Sequence, residues 1–277
     1  TQGFKPGTLN IIAARPSVGK TSFAMNIVAN IAMSQYVDKP AVVFSLEMPA
    51  KEIAMRMLSS FGRVPGKDLA VAKVSQEQWG DIIRKIRLLE CTDQDGKKRS
   101  KLFIDDSSDL TPLELRARAR KIWLEHGGLS CIMIDYIQLM RSQTPHDNRS
   151  QEVGEISRSL KQLSKELSVP IFALAQLNRE VEARKDHRPI NSDLRESGSL
   201  EQDADMILFI DRNISKQKKF GEESADDTKA TLIIGKNRNG ATADIELQFQ
   251  GAYTTFYDKA NYLMADGDVP VMEYPEA

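Results

Sequence analysis

Eight residues near the start of the chain have the types and the spacing to hold a triphosphate: Ala14, Arg15, Pro16, Ser17, Val18, Gly19, Lys20 and Thr21. A small residue, four variable ones and then Gly-Lys-Thr is the phosphate-cradling loop (Walker A), with Ala14 standing where Gly is commonest. Successive backbone N–H groups of such a loop form a concave anion site, and the first turn of the following helix adds its positive dipole end. Lys20 reaches the outer phosphates, the Thr21 hydroxyl can bind Mg2+, and Gly19 lets the backbone pass close to the phosphates. The plain alternative is a glycine turn before a helix. Against it stands the setting: an apolar run over 9–13 precedes the loop and a helical pattern over 23–31 follows it.

Nucleotide hydrolysis also needs a carboxylate for Mg2+ and a group that positions or activates water. The first is offered by Cys131-Ile132-Met133-Ile134-Asp135, an apolar strand ending in an acid in the Walker B manner. A strand-end Asp alone is as readily a helix cap or a turn residue, and the pairing with the upstream loop is what points to metal. Tyr136 follows Asp135, so the water-activating carboxylate has to come from elsewhere. Glu47 is the candidate. It ends the run Val42-Val43-Phe44-Ser45-Leu46 and would sit at the carboxyl edge where open α/β sheets bind ligands; its alternative is a cap for the helix that opens near Pro49. Gln176 ends the run 171–175 in the same way, and its amide could hydrogen-bond a γ-phosphate or water, or simply serve a turn. His126, His146 and His187 fall in loop-like stretches and receive no catalytic role. The chain lacks a Gly-x-Ser-x-Gly elbow, which leaves covalent hydrolase chemistry without support.

Bringing these groups to one edge requires a particular scaffold. Short runs that are almost wholly apolar recur at 9–13, 41–46, 102–104, 131–134, 171–175 and 206–210, the pattern of strands covered on both faces. Helical spacing separates most of them, at 21–34, 50–61, 76–89, 113–125 and 152–167, with a short helix near Ser199. Thr111-Pro112 and the Ser75/Gln78 pair are helix-start signals. The expected fold is therefore α/β, with a mostly parallel central sheet flanked by helices. After a polar, charged segment over 215–229, expected to be a mobile surface loop, runs at 231–234 and 243–249 flank Asn239-Gly240 and predict a tight antiparallel hairpin. Another strand over 253–257 would extend it.

At 277 residues the chain fits one large domain, taken as 1–260, followed by an acidic tail over 261–277. A formal net charge of -1 excludes the global basic field of many nucleic-acid binders, so any polyanion contact must be local. Cys91 and Cys131 have neither paired spacing nor metal-ligand neighbours, which excludes a disulfide scaffold and a zinc knuckle. No apolar run approaches the roughly 18 residues of a membrane span, and no leader pattern opens the chain. The expectation is a cytoplasmic protein without membrane contact. The chain starts at Thr1 and reaches its first strand within ten residues, which suggests a domain excised from a longer parent.

Several motifs in order carry a resemblance. Gly7-Thr8-Leu9 leads into the phosphate loop. Phe44-Ser45-Leu46-Glu47-Met48, Ile134-Asp135-Tyr136-Ile137-Gln138-Leu139-Met140 and Ala175-Gln176-Leu177-Asn178-Arg179 follow, then Asp193-Leu194-Arg195-Glu196-Ser197-Gly198-Ser199 and Gly235-Lys236-Asn237-Arg238-Asn239-Gly240. Together they resemble the C-terminal, RecA-like motor domain of the bacterial DnaB-type replicative helicase, over nearly the whole chain. The resemblance implies a RecA-like P-loop NTPase that uses ATP and Mg2+ and assembles as a homohexameric ring. Such a ring hydrolyses ATP between neighbouring subunits and moves 5′-to-3′ along single-stranded DNA. It implies that Lys20 and Thr21 bind phosphate and Mg2+, Glu47 activates water, Asp135 holds the metal and Gln176 senses the γ-phosphate. Lys236 and Arg238 become a pair acting on the neighbouring subunit's nucleotide; without the family they read as solvated residues at a hairpin end.

Arg195, Glu196 and Gly198 match the family's DNA-backbone loop, where the residues alone would read as a loop entering a capped helix. With aromatics at only 6% of the chain and none in this loop, DNA contact should follow the backbone, with little sequence preference and marked salt sensitivity. Ala14 for Gly and Asn237 at a variable position are small departures. The family's upstream collar, which stabilises the ring and binds primase, is missing from this sequence, so contacts to primase and a helicase loader fall to a parent protein. Two other readings stay open: a RecA-like recombinase or related DNA-dependent ATPase, and a module that binds ATP to assemble but hardly hydrolyses it.

Overall fold

Leu9, Ile11 and Ala13 face one side of the first strand and Ile12 and Ala14 the other, and all five are buried. A strand apolar on both faces must be covered on both, and that requirement organises the molecule. The computed structural model describes residues 3–92, 96–142, 144, 146, 148–178, 181, 184, 188–194, 198–212 and 228–259. Its strands are β1 (Leu9–Ala14), β2 (Ala41–Ser45), β3 (Glu90–Thr92), β4 (Lys98–Ser100), β5 (Leu102–Asp105), β6 (Cys131–Asp135), β7 (Ile171–Gln176), β8 (Met206–Asp211), β9 (Lys229–Asn237), β10 (Asp244–Gln250) and β11 (Thr255–Asp258). Its helices are α1 (Lys20–Met33), α2 (Ala50–Gly62), α3 (Gly66–Ala70), α4 (Gln76–Leu88), α5 (Pro112–His126), α6 (Arg149–Leu167) and α7 (Gly198–Asp203).

Nine strands form one sheet in the order β11-β10-β9-β8-β1-β7-β6-β2-β5. The run from β8 to β5 is parallel throughout, and β9, β10 and β11 extend it antiparallel. One core lies under α5, α6 and α7, the other under α1 to α4. Burying an Ile such as Ile11 or Ile12 contributes about 1.5–3 kcal/mol, so β1 is held from both sides. The helix-start signals act as their chemistry requires: Ser75 with Gln78 and Thr111 with Glu114 each form a capping box. No helix among the described residues is long and apolar enough to cross a membrane.

The fold differs from the sequence reading in three places. Helix α3 and the separate β3–β4 hairpin are too short and polar to leave a periodic signal. The β9–β10 connection is not a two-residue turn: six residues, 238–243, separate the strands, and neither Asn239 nor Gly240 takes the positive φ of a type I′ turn. The expected loop over 215–229 lies almost wholly outside the described residues, as does the tail over 261–277.

Candidate functional site

Between the end of β1 and the start of α1 the backbone turns through two left-handed residues, Ser17 (φ 65°) and Gly19 (φ 107°). Gly19 occupies the cap position of α1, no side chain caps the helix, and the first turn carries no acid. The orphan amides and the positive dipole end therefore face outward without a competing carboxylate, as an anion site needs. Gly19 is also crowded: a Cβ there would lie 3.1 Å from Phe256 Cζ and 3.5 Å from Phe249 Cε2. The antiparallel extension thus braces the phosphate loop. Phe256 packs edge-on against Phe23 of α1, and the Arg212 guanidinium lies 3.9 Å over the Phe249 ring while donating 3.0 Å to the Val18 carbonyl. Arg15 reaches the end of β8, donating to Asp211 at 3.3 Å and to the Arg212 carbonyl at 3.0 Å. Ala14 is buried as the last residue of β1, whereas Pro16 and Ser17 are exposed at the loop's outer turn.

Parallel strands deliver the remaining groups to the same edge. Thr21 Oγ1 donates 2.7 Å to Asp135 Oδ2 at the end of β6, and Lys20 Nζ lies 3.9 Å from Asp135 Oδ1 and 4.4 Å over the Tyr136 ring. Burial holds the Lys20 ammonium below its ordinary pKa, opposed by attraction to Asp135 and Glu47. Glu47 stands exposed just past β2, and no hydrogen bond or ion pair ties it down. Its capping alternative is not realised, because Asp106 accepts from Ala50 N at 2.9 Å at the start of α2. Gln176 ends β7. Lys20, Thr21, Glu47 and Gln176, with the loop residues from Ala14 to Ser17 and Gly19, line a cleft of about 480 Å3.

The donors suit Mg2+ bound together with a triphosphate. Asp135 is 1% exposed, yet its Oδ1 has no hydrogen-bond partner. A buried carboxylate oxygen without a donor calls for a cation. Among the described residues no cluster of three or more His, Cys, Asp or Glu side chains forms a cage. One carboxylate and one hydroxyl beside a phosphate cradle are what Mg2+ takes when substrate oxygens and water complete its shell.

A phosphate loop, a Walker B acid and a detached glutamate are common to many P-loop ATPases, and comparison with known proteins separates them. The model of the DnaB-like helicase C-terminal domain matches residues 1–258. The chain belongs to this family. It is 50% identical over 257 residues to the replicative DNA helicase DnaB of Haemophilus influenzae, covering 92% of this chain and 52% of that protein. It is 42% identical over 257 residues to the replicative DNA helicase DnaC of Bacillus subtilis, at 92% and 53% coverage. The chain thus spans about half the length of the curated relatives it matches. Among solved structures, a DnaB-like replicative helicase described with its interactions with primase superposes with a TM-score of 0.79 at 34% identity, covering 92% of this chain and 58% of that one. The ATPase domain of G40P gives the same TM-score and identity, covering 92% and 86%.

In this DnaB-like domain Lys236 and Arg238 lie at the far edge of the sheet from the phosphate loop. Lys236 pairs with Ile207 and Asn237 with Met206, at the start of β8, whereas Asp211 at its other end meets Arg15. Five residue steps at about 3.3 Å each put roughly 17 Å of strand between the two ends. Neither cation is merely solvated: Lys236 Nζ donates to the Glu201 carbonyl and Arg238 Nη2 to the Gln202 carbonyl at 3.0 Å, both on α7. Burial lowers the Lys236 pKa, helped by the nearby Arg238. Arg195 and Glu196 lie outside the described residues. Gly198 opens α7, exposed, with open space where a Cβ would stand.

Three residues of the site carry no local sequence signal. Arg212, just past β8, and Phe249 of β10 reach the phosphate loop, and Gln138 clamps the backbone of Gln176 from the turn after β6. Only their tertiary partners give them a role.

Proposed function

We propose that this chain is the ATP-driven motor of a replicative DNA helicase, acting as one domain over 1–260 within a homo-oligomeric ring. The observation that carries the proposal is the separation of two groups of residues along the strands of the sheet. The phosphate-loop cleft lies at one end of the parallel strands and the Lys236/Arg238 pair at the other, roughly 17 Å of strand away, which supports the reading that the pair serves a neighbour's nucleotide. Two copies packed head to tail would bring one subunit's pair to the next subunit's cleft, and repeated around a closed circle such a heterologous contact makes a ring. Six subunits is the family's arrangement and the number proposed here.

Within one site the amides from Ser17 to Thr21 cradle the phosphates and Lys20 neutralises the outer ones. Thr21 and Asp135 would hold Mg2+, which when bound offsets charge on the β- and γ-phosphates. Glu47, untethered at the cleft wall, orients water and accepts its proton. Gln176 hydrogen-bonds the γ-phosphate side of the cleft and so registers whether the bond is intact. Arg238 from the neighbour stabilises charge that develops as the bond breaks, a contribution present only when subunits are docked. Arg195, Glu196 and Gly198 hold the backbone of single-stranded DNA threaded through the ring, moving 5′-to-3′. A cytoplasmic location follows from this role. Contacts with primase and a loader belong to the upstream part of a parent protein.

The test is Arg238→Ala. Each subunit should bind ATP as before while DNA-stimulated turnover and unwinding of a 5′-tailed fork are lost. Strand exchange without unwinding would favour a recombinase, and undiminished turnover would remove the trans-acting role.

A further inference from the structure

The carboxylate of Asp205 sits where three segments meet. It follows α7 and immediately precedes β8 and is 8% exposed. Its Oδ2 accepts from the backbone N–H of Leu9, the first residue of β1, at 2.8 Å and from Lys161 Nζ of α6 at 2.5 Å. Lys161 is itself fixed by the Gly7 carbonyl at 2.9 Å. With one oxygen held by two donors from different elements, the carboxylate cannot swing. Its other oxygen, Oδ1, is 3.3 Å from Arg238 Nη1, and its backbone carbonyl accepts from Arg238 N at 2.8 Å. Arg238 therefore meets Asp205 twice, through backbone and side chain, while half of its own side chain remains exposed.

We propose that Asp205 is a positioning residue for the trans-acting arginine: it anchors Arg238 by backbone and guanidinium and so presents the guanidinium's free face outward to the next subunit. The proposal rests on the reading of Arg238 as trans-acting. A long, exposed arginine otherwise samples many rotamers, and a charge delivered across an interface acts only when it arrives in one geometry. The last carbonyls of α7 complete the seat, since cations are favoured at a helix C-terminus. A purely structural role, stapling β1 to α6, would account for the Leu9 and Lys161 bonds but not for the oxygen given to Arg238.

Mixed oligomers separate the possibilities. Donor subunits carry Lys20→Ala, which removes their own nucleotide site and leaves Arg238 intact; acceptor subunits carry Arg238→Ala and keep their cleft. Mixed with ATP, Mg2+ and single-stranded DNA, the two should restore turnover at donor–acceptor interfaces. Adding Asp205→Asn to the donor should lower the restored kcat by roughly ten- to a hundredfold while KM for ATP holds. The same substitution placed in the acceptor should have no such effect, because its arginine is already gone. If Asp205→Asn does not fold, as judged by thermal unfolding, Asp205→Glu replaces it, with the carboxylate displaced by one methylene and the same donor-side loss expected. Full restoration with the substituted donor, or equal loss from either side, overturns the proposal. Failure of any mixture to regain turnover, even with Asp205 intact in both, sinks instead the reading of Arg238 as trans-acting.

Discussion

The side-chain amide of Gln138 closes a two-bond ring on the backbone of Gln176: Nε2 donates to the Gln176 carbonyl and Oε1 accepts from the Gln176 N–H, both at 3.2 Å. The ring ties the end of β7 to the turn after β6, so Gln176 and the segment that follows Asp135 move as one piece. Arg149 of α6 fixes the turn from behind, donating to the Gln138 carbonyl at 2.6 Å and the Met140 carbonyl at 3.0 Å. Gln138→Ala removes both bonds and should cost about 1–3 kcal/mol of stability at roughly 0.5–1.5 kcal/mol each. Urea unfolding measures that loss, and turnover should fall more than ATP affinity because the substitution leaves the phosphate loop untouched.

Lys20 makes a prediction about stability without nucleotide. Burial holds its pKa below 10.5 against the pull of Asp135 and Glu47, so the charged form is the disfavoured one in the folded protein. Between the lowered folded value and the unfolded value of 10.5, the unfolded chain binds the proton more readily, and stability rises with pH. Below that window the cost of the buried charge is fully present. Lys20→Met should therefore raise the nucleotide-free Tm at neutral pH, with the advantage shrinking as pH climbs toward 10.5. Added Mg-ATP reverses the order: a ligand at a hundred times its Kd stabilises by about 2.7 kcal/mol, and only the wild type gains it. A pH series of melting curves with and without nucleotide checks both halves.

What the chain reveals without its structure follows from how local each signal is. Ile11 and Ile12 sit side by side on β1 and enter opposite cores, so a run of consecutive apolar residues reads directly as a doubly covered strand. The phosphate loop is legible because eight neighbouring residues perform one task. Glu47 is legible only as an acid at a strand end; that Asp106 takes the cap of α2 and leaves Glu47 untied is a tertiary fact. Arg212 and Val18 are 194 positions apart, and no spacing rule links them. Lys236 and Arg238 read as hairpin-end residues until the register of β8 with β9 places them at the edge away from the cleft.

Gly19→Ala tests the brace over the phosphate loop. The residue holds φ at 107°, where a Cβ is strained, and that Cβ would press on Phe256 at 3.1 Å. Backbone strain of this kind costs about 1–3 kcal/mol, and the ring can retreat only by loosening its edge-on contact with Phe23. The expected result is a destabilised domain with weakened ATP binding. Phe256→Ala combined with Gly19→Ala should be less than additive, because the smaller residue removes the clash but not the strain. A double-mutant cycle in urea reports the coupling.

Glu47 and Asp135 stand at the ends of neighbouring parallel strands, and their surroundings differ in a way that the proposed division of work between them would require. Asp135 is buried, receives the Thr21 hydroxyl and keeps one oxygen without a donor, as a metal ligand does. Glu47 is exposed and unpaired in the cleft wall, as a group that must exchange a proton with water does. Glu47→Gln preserves shape and removes the proton acceptor, so ATP and Mg2+ should bind as before while turnover falls by about 10^2- to 10^4-fold. Asp135→Asn weakens the metal site itself, and its defect should include a higher Mg2+ requirement. Titrating Mg2+ against a fluorescent ATP analogue in both variants separates them: a shift in Asp135→Asn alone is expected, and an equal shift in both would reassign Glu47 to the metal.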